Sequence, residues 1–231
     1  MLRTAAFQEG RVLMLQVRAF QLSNVDVGRS SILDPAELTR AALFSDELPR
    51  RRFLAGRLVQ RHFAAELLGL ADDRLEIDYH CPVCGQGPWL NHGRPGYTVE
   101  GRPVPLVLSL SRCGDWAVVA GQLDADLTGA VGVDIEDESS TAFEGFDAEL
   151  LTDGERRLTL NTPEHSRPRL RAQLWTRKEA LLKALGTGLA REPNSIDVVA
   201  DPRVRSMAPE PLGLPADLAV AVAWLAVPPL R

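Results

Sequence analysis

The chain of 231 residues predicts an α+β fold built of two similar α+β halves in a pseudo-twofold arrangement with a cleft between them. Two observations carry the fold class. Period-2 and period-3.6 stretches follow one another as strand, helices, strands and then again as strand, helices, strand. At 45% hydrophobic residues the chain can also bury one large core or two small ones. The second half repeats the first only in layout, with no residue-level repeat.

The first strand is the loosely alternating stretch 12–20. Asp34-Pro35-Ala36-Glu37 opens a helix, with Asp34 as N-cap and Pro35 in the first turn. The longest helix spans 48–70, with Phe53, Leu54, Leu58, Phe63, Leu67 and Leu68 at helical spacing. Its polar face holds Arg50, Arg51, Arg52, Arg57 and Arg61. Residues 80–101, rich in Gly, Pro, Cys and His, show no period. Strands 104–111 and 116–123 are joined by a turn at 112–115. A strand at 131–136 and helices at 147–159 and 169–185 follow, the last closed by Gly186 and Gly188. An apolar strand at 218–227 ends the pattern. The halves are 1–125 and 126–231, meeting around 123–130.

Net charge is −5 with 25% charged residues, so no basic excess points to nucleic acid. No apolar run approaches the ~18–20 residues of a membrane span, and the first residues lack a signal-peptide core. Three cysteines do not make a disulfide framework. These features predict a cytoplasmic protein with reduced thiols.

Of 26 basic residues only two are lysines, Lys178 and Lys183, both in Trp175-Thr176-Arg177-Lys178-Glu179-Ala180-Leu181-Leu182-Lys183. A lysine kept against an arginine bias points to a site that wants a compact ammonium. On a helix, Trp175, Glu179 and Lys183 share one face. In the strand Val131-Gly132-Val133-Asp134-Ile135-Glu136, Asp134 and Glu136 project from the face of Gly132, which lets something approach the backbone closely. Two such carboxylates repel unless a cation or protons intervene, and oxygen-only ligands suit Mg²⁺. Packed against this strand, the helix would add Glu179 to the pair, with Lys183 one turn on. A solvated sheet edge and an ordinary Glu–Lys pair are the plainer alternatives.

Taken together, Gly132-Val133-Asp134-Ile135-Glu136 and the lysine-bearing block some 40 residues later resemble the signature of 4'-phosphopantetheinyl transferases. The layout is similar to the larger surfactin-activator (Sfp) type. The resemblance extends to Arg52-Phe53-Leu54-Ala55-Gly56-Arg57, His92-Gly93-Arg94-Pro95 and Leu108-Ser109-Leu110-Ser111-Arg112-Cys113-Gly114. It implies transfer of the phosphopantetheine arm of coenzyme A to a serine of an apo acyl- or peptidyl-carrier protein, with Mg²⁺, releasing adenosine 3',5'-bisphosphate. It also implies metal ligands Asp134, Glu136 and Glu179, and catalytic roles for Glu179 (base) and Lys183 (charge on the pyrophosphate). Coenzyme A would be held by Arg52, Arg57, Arg94, Ser111, Arg112 and Lys178 in a monomeric enzyme. Four positions depart from the family pattern: Arg94 for a lysine, Ser109 for an asparagine, Arg112 for a histidine and Cys113 for a serine. Arg112 can grip phosphate but cannot act as an acid or base near neutral pH.

His80, Cys81, Cys84 and His92 are four possible zinc ligands, but His80 beside Cys81 is awkward for one tetrahedral site. A loop of reduced thiols is the expectation there, and a non-catalytic zinc-binding adaptor is the rival for the whole chain. Cys113 reads as a packing residue, and Trp89, Trp116 and Trp224 as core or cleft wall. Trp175 is expected to pack under the helix of Glu179.

Overall fold

The computed structural model describes residues 3–8, 11–124 and 129–226. Strands β1 (Arg3–Gln8) and β2 (Arg11–Gln21) lead into helices α1 (Pro35–Ala42) and α2 (Glu47–Leu68). The aperiodic stretch then forms short strands β3 (Glu76–Ile77), β4 (Tyr79–Cys81), β5 (Gly85–Gly87), β6 (Tyr97–Val99) and β7 (Arg102–Pro103). Strands β8 (Leu106–Cys113), β9 (Trp116–Leu123) and β10 (Gly129–Asp137) follow. Helices α3 (Phe146–Leu150), α4 (Asp153–Asn161) and α5 (Arg167–Leu185) come next, then β11 (Val204–Met207) and β12 (Leu218–Ala226). The predicted junction of the halves falls largely on 125–128, and Val227 closes the predicted last strand. Both lie outside the described residues.

The larger sheet is antiparallel in the order β1-β2-β9-β8, and α2 packs on it. A second sheet is β10-β12-β11, also antiparallel, with α5 laid across it, and two small sheets, β3-β6-β7 and β4-β5, form from the short strands. Alternation along β10 joins the second sheet to the larger. Val131, Val133 and Ile135 pack with Leu15, Val17, Val107, Val118 and Ala120 of the larger sheet, each buried side chain contributing roughly 1.5–3 kcal/mol. The opposite face of β10 meets α5. The edges of β8 and β10 are tied by the Val133 N–H, which donates to Ser109 Oγ at 3.0 Å.

Gly132 is the reason α5 comes so close. A Cβ there would lie 1.8 Å from the Ala180 carbonyl oxygen and 2.7 Å from the Ala184 nitrogen. What the glycine lets approach is a helix backbone. This brings Glu179 and Lys183 over the strand that bears Asp134 and Glu136.

Three readings of local structure need correction. The predicted helix 147–159 is two, because Thr152 caps α4 in a box with Glu155 and so ends α3 before it. The arginine face of α2 is not uniformly solvated. Arg61 is 1% exposed, pairing with Asp34 and, at 3.3 Å, with Glu37. Trp89 is 66% exposed and lies over Gly87, so it is neither core nor cleft wall. Trp116 and Trp224 do pack against the core between the sheets.

Candidate active site

A cleft of about 1250 Å³ opens between α2, the loop of 79–95, β8 and the C-terminal end of α5. Each wall is set by a local feature. Helix α2 presents Arg52, Arg57 and Gln60. The loop presents Arg94, fixed by reciprocal backbone hydrogen bonds between His80 and Arg94 at 2.8 and 3.0 Å. The hairpin turn at Gly114, in the left-handed region (φ +57°), lets β8 carry Ser111 and Arg112 to the mouth. Gly186, also left-handed at φ +74°, stops α5 just after Lys183 and Leu185, and the chain beyond adds Arg191 to the wall.

Ser111 and Lys183 of the cleft wall belong to a compact polar network with the buried Asp134 behind them. Lys183 Nζ donates to Asp134 Oδ1 at 2.6 Å, to Ser111 Oγ at 3.0 Å and to the Val133 carbonyl at 3.2 Å. Ser111 Oγ donates in turn to Asp134 Oδ1 at 2.6 Å. The second oxygen of Asp134, Oδ2, is buried with no hydrogen-bond partner. Burying an acceptor unsatisfied is costly, so an orphaned carboxylate oxygen calls for a cation or donor from outside.

Glu136 and Glu179 flank this oxygen. Burial, and next the nearby Asp134 charge, push the Glu136 carboxyl above its ordinary range. Ser140 Oγ donates to Glu136 at 3.0 Å and the Trp175 indole also bonds it. Trp175 stands edge-on to Phe146, so it braces Glu136 on the strand side. Glu179 is pushed up to about 7, chiefly by burial. The Lys183 charge lowers it, and Asp134 and Glu136 raise it further. The Asp134 charge thus disfavours the charged forms of both Glu136 and Glu179, beside the single ammonium of Lys183. The three carboxylates do not close into a tight cluster. Among the described residues only Cys81, Cys84 and His92 bring three such ligand atoms within 4.8 Å of one another.

The cleft arginines divide by their partners. Arg57 is committed: it pairs with Glu37 at 3.7 Å, donates to Asn91 O at 2.5 Å, and bonds the Tyr79 hydroxyl. Arg52, Arg94 and Arg112 form no ion pair within 4 Å among the described residues, although the Arg52 charge is felt by Asp115. Arg52 Nε and Arg94 Nε are buried and unpartnered. Arg94 spans the cleft to donate to Ala184 O at 3.0 Å, and Arg112 lies over the Phe53 ring and bonds Arg52 O at 3.4 Å. Burial lowers the pKa of Arg94, and burial with the Arg57 charge lowers that of Arg112, so both would gain from an anion.

Two sequence assignments change. Lys178 is not at the cleft. It is 0% exposed, bridging Glu155 at 2.7 Å, Pro193 O at 2.9 Å and Ile196 O, and its place on α5 turns it away from Lys183. Ser111 lines the cleft, but its hydroxyl is engaged by Asp134 and Lys183. Gln60 and Arg191 escaped the sequence reading, because nothing in an isolated helix or a terminal loop marks which side faces a cleft. Cys113, its thiol pushed up to about 11 by burial and the neighbouring Glu136, is no nucleophile at neutral pH.

Free cations on one wall and carboxylates beyond them define an enzyme site for a substrate rich in phosphate. Residues 130–218 match the 4'-phosphopantetheinyl transferase superfamily. It is similar to the 4'-phosphopantetheinyl transferase HetI of Nostoc sp., at 27% identity over 84% of this chain and 72% of that one. It is also similar to a phosphopantetheinyl transferase of Thraustochytrium sp., at 32% identity over 68% of this chain and 54% of the relative. The holo-[acyl-carrier-protein] synthase of Thermotoga maritima overlaps 43% of this chain and 64% of its own, with TM-score 0.35 and 23% identity. The stand-alone adaptor is thereby set aside: the Cys–His cluster belongs to a transferase.

Proposed function

We propose that the protein moves the 4'-phosphopantetheine arm of coenzyme A to a serine of an apo acyl- or peptidyl-carrier domain, with Mg²⁺, releasing adenosine 3',5'-bisphosphate. In this reading it is an enzyme of the two-half Sfp type. Residues 1–125 supply the phosphate contacts, and 126–231 the metal and catalytic residues. The observation that carries it is the buried, unpartnered Asp134 Oδ2, held behind Ser111 and Lys183, which line a cleft whose wall also bears Arg52, Arg94 and Arg112.

The donor set fits Mg²⁺: hard carboxylate oxygens, one of them orphaned, in a group with excess negative charge. Asp134, Glu136 and Glu179 would hold it, and it would offset charge on the diphosphate. Lys183 keeps Asp134 oriented through Oδ1, leaving Oδ2 free, and from the cleft wall its ammonium would offset charge on the diphosphate. Arg52, Arg94 and Arg112 would hold the 3'-phosphate and diphosphate of coenzyme A, as charge-assisted forks do. Arg57 would act from behind them, as an anchored charge.

Glu179 would take the proton of the carrier serine, directly or through a water. A carboxyl poised near 7 is matched to proton transfer at neutral pH. The serine oxygen forms a bond to the phosphorus that bears pantetheine. The bond from that phosphorus to the bridging oxygen breaks, and the electron pair leaves with adenosine 3',5'-bisphosphate. Such a step needs positioning and charge neutralisation more than covalent help. A smaller apolar groove beyond Glu136, lined by Phe143, Phe146, Leu150 and Trp175, offers the acceptor side.

Unpaired thiols suit a cytoplasmic enzyme acting as a monomer on fatty-acid, polyketide or nonribosomal-peptide carriers. The test is to incubate the protein with coenzyme A, Mg²⁺ and apo-carriers of each kind, then weigh the carriers. The expected result is a gain of one phosphopantetheinyl group on at least one of them. No gain on any carrier would sink the proposal.

A further inference from the structure

The tightest group of metal-ligating side chains lies away from the carboxylates. Cys81 Sγ, Cys84 Sγ and a ring nitrogen of His92 all stand within 4.8 Å of one another. Their backbone is built for this. Cys81 ends β4, Cys84 sits in the turn, and Gly85 opens β5 with φ +91°, a left-handed turn that glycine adopts without strain. Cys81 pairs with Gly85 across the hairpin. The backbone N–H groups of Val83 and Cys84 donate to the Cys81 sulfur, as amides do around a thiolate in a metal knuckle.

His92 comes from a separate strand of chain, drawn in by the His80–Arg94 backbone bridge. Gly93 makes that approach possible: a Cβ there would lie 2.4 Å from the His80 carbonyl oxygen. All three cysteines of the chain are free thiols. Cys84 and His92 are exposed and Cys81 half-buried, so an ion can reach them.

Two sulfurs and one imidazole form a soft donor set, which selects Zn²⁺ and rejects Mg²⁺. Ligand atoms around tetrahedral zinc are roughly 3.5–3.8 Å apart, so the trio need contract by only about 1 Å. His80 stays outside the group, and among the described residues no other His, Cys, Asp or Glu joins it.

We propose that Cys81, Cys84 and His92 bind one Zn²⁺ at the rim of the cleft, with water in the fourth position, and that the ion fastens the hairpin carrying Arg94. Cys81, Pro82, Val83, His92 and Arg94 all line the cleft, so a fixed rim holds Arg94 in place against the end of α5. This site is distinct in place and chemistry from the carboxylate group, and it stands whether or not the transfer reaction is as proposed.

The test is elemental analysis of the full chain purified without chelator, expected to give about one zinc per chain. Cobalt(II) added to the stripped protein should give thiolate charge-transfer and tetrahedral bands. Cys84→Ser and His92→Ala should each weaken zinc binding at least about a hundredfold. The cobalt spectrum of the unaltered chain decides the matter even if a variant misfolds. Zinc-free protein with no cobalt–thiolate band, a Cys81–Cys84 disulfide in its place, or undiminished zinc in the Cys81→Ser, Cys84→Ser double variant would overturn the site. Stripping zinc should also raise KM for coenzyme A several-fold while kcat in Mg²⁺ holds. An unchanged KM would overturn the fastening role.

Discussion

Two lysines on one helix each meet a carboxylate at nearly the same distance, 2.7 Å for Lys178 and Glu155, 2.6 Å for Lys183 and Asp134. The surroundings differ in every other respect. Lys178 and Glu155 are both 0% exposed, and every polar atom of the pair is used. The lysine also binds Pro193 O and Ile196 O, while the glutamate accepts from Val198 N at 3.0 Å and Thr152 N at 2.8 Å. Around Lys183 the side chain is 29% exposed and one oxygen of Asp134 is left without a partner. Glu136 and Glu179 add charge that one ammonium cannot balance. A saturated ion pair holds structure, whereas an unsaturated one is ready for a ligand. The arginines differ in a related way, Arg61 enclosed with Asp34 and Glu37 and Arg52 on the cleft wall with no ion pair within 4 Å among the described residues.

The largest expected effect breaks the unsaturated side. Asp134→Ala or Glu179→Ala should lower transfer at least about a hundredfold, and excess chelator should do the same to the unaltered protein, because phosphate charge is left unopposed. Near-normal turnover in either variant, measured by carrier mass, would remove these residues from the site.

Next comes the contrast between the lysines themselves. Lys178→Met leaves Glu155 buried without its partner and should cost about 3 kcal/mol, a fall in Tm on the order of 10 °C, with turnover per folded molecule unchanged. Lys183→Ala leaves the buried Asp134 without its ammonium and so should also lower Tm, but unlike the Lys178 variant it should slow transfer per folded molecule roughly ten- to a hundredfold. Because one ammonium serves three acceptors, Lys183→Arg should fail like the alanine variant. Calorimetry paired with transfer kinetics checks both, and swapped outcomes would invert the assignment.

Among the arginines, Arg52→Ala and Arg112→Ala should raise KM for coenzyme A roughly tenfold or more with a smaller change in kcat. Dephospho-coenzyme A, which lacks the 3'-phosphate, tells which of them holds that group. Arg57→Ala, losing Glu37 and Asn91, should show mainly as lost stability. Equal KM effects from all three would blur the division between committed and free cations.

The smallest effect is electrostatic. Glu179 ionises near 7 in the folded chain against an ordinary 4.5. The metal-free protein should therefore lose stability as pH rises from about 4.5 to about 7, since the unfolded chain gives up that proton more readily. Glu179→Gln should flatten this slope in urea titrations, and Mg²⁺ should stabilise the unaltered protein more above pH 7 than below 5. An identical slope in the variant would mean that the carboxyl is not strained.

Local chemistry fixed much of this protein. Period and caps marked α2, α5, β8, β9 and β10 to within a few residues, because alternation and capping act between near neighbours in the chain. The same alternation put Asp134 and Glu136 on one face of β10, and helical spacing put Glu179 with Lys183. Four-residue spacing did not tell which side of α5 Lys178 would occupy, and its burial with Glu155 was invisible. The weak strand β11 was missed, since its four residues have only the neighbouring β12 to define them. What tertiary structure alone decided is which charges find partners. Gly132 admits α5 against β10 and so sets Lys183 on Asp134. Arg61 is enclosed while Arg52 forms no ion pair within 4 Å among the described residues, and His92 meets Cys81 and Cys84 across a loop with no period. Partnership depends on distances between segments far apart in sequence, and the packing of the whole chain sets those distances.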